Sequence, residues 1–298
     1  MPMKRRGCAR FSRIDAEFDL SPLGKRDKMR AEAESRKGKF MDYQTITLAI
    51  TDDVAVLTLD RADKMNALNT QMRAEIADAA RTAGKEARVL VLTGAGRAFC
   101  SGQDLSDRAN AANLDMERTL RDEYLPMLQA IYDCPIPTIS AVNGAAAGAG
   151  ANLALAADVV IATQSAYFLQ AFTRIGLIPD AGGTYWMTRQ MGTAKAMGAA
   201  LFADKISAQQ ADDWGLIWEA VADDAFDATW RARAAHLAKG PTVAYAHVKQ
   251  AIRGSWDNSL EDQLALEGRF QGTCGKTRDF KEGVLAFLEK RPASFEGR

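Results

Sequence analysis

Histidine is nearly missing from this chain of 298 residues, which holds two, His236 and His247. Both fall in alanine-rich stretches with helical spacing, where an imidazole serves as a helix-surface or packing residue. Histidine-based triads and histidine-rich metal sites are thereby set aside. Cysteine is scarce as well. Cys8, Cys100, Cys134 and Cys274 lie far apart without a C-x-x-C pair, so they read as free thiols of a reducing, cytoplasmic compartment. No apolar run reaches the length of a membrane span, and the longest, around residues 153–162, is broken by Asp158. An apolar signal-peptide core is lacking at the N-terminus, and Asp15, Glu17 and Asp19 weigh against a mitochondrial presequence. Net charge is lacking too, since 38 Lys and Arg balance 38 Asp and Glu. The balance hides an asymmetry: residues 1–40 hold 12 of the basic and 6 of the acidic side chains. The body is mildly acidic, and no nucleic acid is expected as its partner.

What is present fits a soluble globular protein, with 47% apolar and 26% charged residues. The length suits one domain with a smaller appendage. Residues 1–40 are polar, basic and without periodicity, which predicts a disordered or weakly helical extension. Met41 is a candidate start of the native protein. From residue 44 two β-rich runs, 45–50 and 54–59, flank the turn Asp52-Asp53 and predict a hairpin. A helix over about 69–83 follows, capped by Asn69 or Thr70. Val89-Leu90-Val91-Leu92-Thr93 reads as a buried strand and 94–104 as a loop. A helix then ends before Cys134-Pro135, and 136–142 is another buried strand. A helix at 151–157 and a strand at 158–162 complete an α/β or mixed core over 41–190. Beyond about residue 188 the pattern turns helical, so 191–298 is a helical C-terminal region suited to packing on another subunit.

Two glycine-rich segments carry chemistry. In Asn143-Gly144-Ala145-Ala146-Ala147-Gly148-Ala149-Gly150-Ala151-Asn152 the third glycine of a dinucleotide fingerprint is missing, and no Walker-type Gly-Lys-Ser/Thr follows. What remains is a strand, a tight turn and a helix N-terminus free of bulk, whose N–H groups suit a developing oxyanion. Close packing of small residues explains the same run equally well. The second segment, Ile178-Pro179-Asp180-Ala181-Gly182-Gly183-Thr184, offers one carboxylate with no side-chain partner nearby in sequence. Its other reading is an N-cap or turn-stabilising aspartate. A loop at Ala98-Phe99-Cys100-Ser101-Gly102-Gln103-Asp104-Leu105 follows a buried strand, where ligand sites of α/β proteins lie.

The ordered combination of these three segments resembles the crotonase (enoyl-CoA hydratase/isomerase) superfamily. Arg61-Ala62-Asp63-Lys64-Met65-Asn66-Ala67-Leu68, Ile206-Ser207-Ala208-Gln209-Gln210-Ala211 and the tail 280–291 are similar too, and the resemblance runs from about Tyr43 to Arg298. It implies a core of repeated ββα units in a spiral, with a helical C-terminal part that assembles trimers or dimers of trimers. It also implies an acyl-coenzyme A thioester as ligand and no separate cofactor or metal. The thioester carbonyl would lie between the backbone N–H groups of Gln103 and Ala149. Lys64, Ala67, Ser101, Asp104, Leu105, Asn152 and Phe172 would line the site, with Lys281 supplied by a neighbouring subunit.

Hydratases of this superfamily resemble one another in placing two glutamates around the attacking water. Asn152 and Phe172 stand at those positions here, so the usual hydration is disfavoured. Asp180 matches the catalytic aspartate of isomerase members, and one base beside an oxyanion hole can move a proton from one carbon to another. The segments around Asn143 and Asp180 are most similar to the branch that isomerises ring-epoxidised phenylacetyl-CoA, and Tyr167, Phe168 and Phe172 would suit an aromatic acyl group. A Δ3,Δ2-enoyl-CoA isomerase or an enoyl-CoA hydratase is the alternative within enzymes. A non-catalytic acyl-CoA-binding or RNA-binding homologue, with residues 1–40 as its arm, is the alternative of another class.

Overall fold

Asp52 and Asp53 both take positive φ, 50° and 64°, as the two central residues of a tight hairpin turn with the strand twist require. They join β2 (Ile46–Thr51) to β3 (Val54–Leu59), and β1 (Lys39–Met41) pairs antiparallel with β2 on its far side. The hairpin thus forms where the alternation placed it. The structure, a computed structural model, describes residues 39–41, 43–105 and 115–298. The expectation for residues 1–40 lies outside the described residues except for the first two residues of β1.

From β3 onward the sheet is parallel: β4 (Val89–Gly94), β6 (Thr138–Val142), β8 (Val159–Thr163) and β11 (Glu219–Val221) add in turn, giving the order β1-β2-β3-β4-β6-β8-β11. β6 is buried along its whole length, as a strand covered on both faces must be. Side chains alternate between two layers. Leu90 and Leu92 of β4 face one core with α1 (Thr70–Glu86), while Val89 and Val91 face another with Phe226, Trp230 and Ala234 of α6 (Phe226–Ala238). The Asn69 side chain caps α1 by accepting from the Met72 N–H at 2.8 Å.

A second, four-stranded sheet corrects the reading of 94–104 and 143–150 as plain loop and turn. Its order is β10-β9-β7-β5, with β5 (Ala98–Cys100), β7 (Ala145–Ala147), β9 (Tyr167–Leu169) and β10 (Lys205–Ser207). These three-residue strands carry no usable alternation, because β5 is buried on both faces and glycines flank it and β7. Each main-sheet strand β4, β6 and β8 is therefore followed by a short strand in the second sheet and then by helical structure. After β5 that helix is α2, an α-helical start Met116–Thr119, a π-helical turn Leu120–Tyr124 and Leu125–Tyr132. After β7 it is α3 (Ala149–Leu155), which begins two residues before the predicted start. After β9 a 3-10 turn, Ala171–Ile175, leads to α4 (Gly183–Phe202).

The C-terminal region is not purely helical, since β10 and β11 interrupt it around α5 (Ala208–Asp213). Beyond α6 come α7 (Thr242–Gly254), α8 (Leu260–Cys274) and α9 (Arg278–Leu288). His236 lies in the last turn of α6, and His247 of α7 stacks on Phe270 of α8 at 4.3 Å, so both are helix residues. Among the described residues Cys100, Cys134 and Cys274 are free thiols, and no helix is long and apolar enough to cross a membrane.

Candidate active site

The loop after β3 is built around one asparagine. Met65 and Asn66 both take positive φ, 50° and 55°, a region that asparagine tolerates better than most residues. The fully buried Asn66 side chain accepts from the Arg61 N–H (2.9 Å) and donates to the Ala95 (3.0 Å) and Ala98 (2.8 Å) carbonyls. This fastens residues 61–68 to the segment containing β5. The two stretches then run side by side: the Ser101 N–H donates to Met65 O (3.0 Å), Leu68 N–H to Gly102 O (2.8 Å) and Asp104 N–H to Leu68 O (3.1 Å). In that parallel bridge Leu68 bonds residues 102 and 104, so the N–H of Gln103 points away from Leu68. No bond from it is found among the described residues.

α3 begins on the other side of the same gap. Gly148 adopts φ 53° as its N-cap without a side-chain bond, and Ala149 opens the helix, where N–H groups lack intrahelical acceptors. The approach is close. A Cβ on Gly102 would lie 2.8 Å from Ala147 O and 3.4 Å from the Ala149 nitrogen, and a Cβ on Gly150 would lie 2.3 Å from Cys100 O. The small residues are thus required by backbone contact, and the same contact sets the Ala149 N–H beside Gly102-Gln103. The packing reading and the oxyanion reading of this run coexist. The Phe172 ring covers Gly148 from outside, its Cζ 3.8 Å from where a Cβ would stand.

The third wall is the turn before α4. Ala181 and Gly182 take φ 48° and 80°, and a Cβ on Gly182 would strike the Trp186 ring at 2.2 Å. Asn152, one helical turn beyond Ala149, donates Nδ2 to the Asp180 carbonyl oxygen (2.7 Å) and accepts from Gln170 Nε2 (2.9 Å). The Asp180 carbonyl also receives the Gly183 N–H at 2.8 Å. Asn152 is wholly buried, so it holds the Asp180 turn rather than lining the cleft. The side chain of Asp180 caps nothing. Gly182 is the N-cap of α4, and Asp180 Oδ1 is buried without a hydrogen-bond partner among the described residues. Burial pushes the Asp180 carboxyl up to about 6, a contact with its own backbone N–H pulling weakly the other way.

Sequence reasoning missed the residues that connect these walls. Tyr124 lies 3% exposed at the end of the π turn of α2 and donates its hydroxyl to Gln103 Oε1. Its phenol is pushed up, first by burial and also by the charge of Asp180, which places it within electrostatic reach of that carboxylate. Arg73 donates Nη1 to Leu68 O (2.8 Å) and to Gln103 Oε1 (3.0 Å). A signal was present, because Arg73 falls on the buried stripe of α1 with Ile76, Ala77 and Ala80, where an arginine needs partners. Nothing comparable marks Tyr124 in the sequence.

Of the other predicted positions, Ala67 is buried within the 61–68 loop, Ser101 donates Oγ to Lys64 O at 3.4 Å, and Asp104 pairs with Arg61 at 2.8 Å. Lys64 and Leu105 are exposed beside them. Lys281 lies exposed on α9, and no hydrogen bond or ion pair joins it to these loops among the described residues. A cavity of about 900 Å³ between α6 and the β2–β3 turn shares no residue with the three loops.

Known proteins agree with this architecture. The family profile described as enoyl-CoA hydratase/isomerase matches residues 49–298. A protein of Rhodobacter capsulatus named "Probable enoyl-CoA hydratase" is 63% identical over 258 residues, 87% of this chain and all of that one. The Escherichia coli "1,2-epoxyphenylacetyl-CoA isomerase" is 44% identical over 250 residues, 82% of this chain and 95% of that one. The crystal structure of an enoyl-CoA hydratase from Bacillus anthracis superposes with a TM-score of 0.77 at 30% identity, covering 88% of this chain and 99% of that one.

Proposed function

Because the chain belongs to the enoyl-CoA hydratase/isomerase family, we propose that it is an acyl-CoA isomerase in which Asp180 moves the proton. The observation that carries this reading is the Asp180 carboxyl itself: its Oδ1 is buried, unpartnered among the described residues and beside α3, and burial pushes its pKa up to about 6. A base poised near neutrality takes a proton and returns it efficiently. In this reading the thioester oxygen lies between the N–H groups of Gln103 and Ala149. When the proton leaves the adjacent carbon, negative charge gathers on that oxygen, and a donor so aimed contributes about 3–4 kcal/mol.

Two features favour isomerisation over hydration. Water addition in this family resembles a two-glutamate mechanism, and those positions hold Asn152, engaged with the Asp180 turn, and Phe172. Two carboxylates near the loops are ion-paired, Asp104 with Arg61 and Glu123 with Arg73. For the acyl group we favour a ring-epoxidised phenylacetyl thioester, supported by the 44% identical isomerase and by Phe172 over Gly148. Hydration of an enoyl-CoA is the second reading, favoured by the name of the 63% identical relative. The homotrimer or hexamer expected from the resemblance is supported by large apolar side chains left exposed on α8 and α9, among them Leu260, Phe287 and Leu288.

Turnover of aromatic and aliphatic CoA esters by the wild type and by Asp180→Asn tests the reading. Isomerisation is expected to fall about 10²–10⁴-fold in the variant, with binding of the CoA ester retained. Unchanged isomerisation would remove Asp180 from the mechanism, and water addition as the main wild-type activity would favour the second reading.

A further inference from the structure

One buried cation has no part in the proton transfer. Arg73 is 2% exposed on the inner face of α1, and its guanidinium is fully engaged. Beyond its bonds to Leu68 O and Gln103 Oε1, it gives Nε (2.9 Å) and Nη2 (2.5 Å) to Glu123 Oε2, and Nη2 to Thr70 Oγ1 at 3.2 Å. The same guanidinium lies 4.7 Å over the Tyr124 ring. Tyr124 in turn donates to Gln103 Oε1. One carboxamide oxygen therefore receives two donors, both from side chains 3% exposed or less.

The backbone shows why such a device belongs here. Residues 102–104 have left β5, so the direction of the Gln103 N–H is fixed by the single bridge to Leu68. Arg73 grips both sides of that bridge, the Leu68 carbonyl and the Gln103 side chain. α2 contributes through its π-helical turn, which places Glu123 on Arg73 and Tyr124 on Gln103; such turns recur at functional sites. Burying the Arg73 guanidinium against a half-buried Glu123 is costly for stability alone, and a role in fixing one geometry accounts for it.

We infer that Arg73 and Tyr124 are positioning residues, holding the Gln103 N–H on the thioester oxygen through the Gln103 carboxamide. The inference rests on the reading of that N–H as a donor to the substrate carbonyl. Neither side chain touches the reacting atoms. Removing the tyrosine hydroxyl leaves the carboxamide with one donor and lets the 102–104 segment swing. The loss is then felt by a ligand with a carbonyl and not by one without.

A pair of ligands reads this directly. Phenylacetyl-CoA carries the thioester carbonyl, and S-(2-phenylethyl)-CoA is the matching thioether that lacks it. Affinities of both are measured for the wild type, Tyr124→Phe, Gln103→Met and Asp180→Asn, with thermal melting to confirm folding. The wild-type preference for the thioester is expected to shrink roughly tenfold in Tyr124→Phe and in Gln103→Met, the size of one well-placed hydrogen bond. Thioether affinity should stay within about twofold, and kcat/KM for a thioester substrate should fall by at least the same factor of roughly ten. Asp180→Asn should keep the full preference, so a failure of the base assignment is told apart from a failure here. An undiminished preference in either folded variant overturns the inference. Equal wild-type affinity for the two ligands overturns it as well, by removing Gln103 from the carbonyl.

Discussion

Asp180 decides the chemistry at the scale of single residues, and its environment explains how. The carboxyl is desolvated and no cation acts on it among the described residues, so its pKa moves up, to about 6. The base form is the ionised one. Activity is therefore absent well below that value and grows as pH rises through it. We predict that kcat/KM, which reports the free enzyme, has an acid limb near pH 6 that vanishes in Asp180→Asn; a flat profile between pH 5 and 8 contradicts the assignment. Asp180 was visible in the sequence as a lone carboxylate among glycines. Its setting was not, because the atom that positions it is the Asn152 amide, 28 residues away along the chain. The same limit hid Tyr124, which reaches Gln103 only because α2 folds back over the loop after β5.

At the scale of elements, small residues are contact requirements. α3 can bring Ala149 beside Gly102-Gln103 only while residue 150 has no Cβ, since one would meet Cys100 O at 2.3 Å and Cys100 Sγ at 2.7 Å. Gly150→Ala is expected to cost about 1–3 kcal/mol, as overpacking does, and to lower activity by displacing the Ala149 N–H. Gly268→Ala on α8 makes the opposite case. Nothing lies within 4 Å of its Cβ, so ordinary helix propensity should raise stability by up to about 1 kcal/mol. Denaturant midpoints of the two variants check both signs; a neutral Gly150→Ala would mean the contact is not needed. The long elements were legible for the converse reason. The hairpin, α1, β4, β6 and β8 each carry enough alternation or apolar length to declare their period. The three-residue strands β5, β7, β9 and β10 do not, and they form the inner sheet that supports the site. What the residues alone left hidden was thus the second strand of each ββα unit.

For the molecule as a whole, three loops from three successive units converge: 61–68 with 101–104 after β5, the start of α3 after β7, and the Asp180 turn after β9. The resemblance drawn from the ordered motifs anticipated that repeat, while composition and periodicity alone gave only an α/β core. The C-terminal helices were anticipated as a region, yet β11 returns from among them to extend the main sheet beside β8, a pairing that three half-buried residues could not announce. The account depends on one step, removal of a proton from the carbon beside the thioester. Its most direct measurement is hydrogen–deuterium exchange at that carbon of phenylacetyl-CoA in deuterated water, followed by NMR for the wild type and Asp180→Asn. The account predicts exchange catalysed by the wild type and slowed at least about 10²-fold in the variant. Equal exchange rates in the two proteins would contradict it.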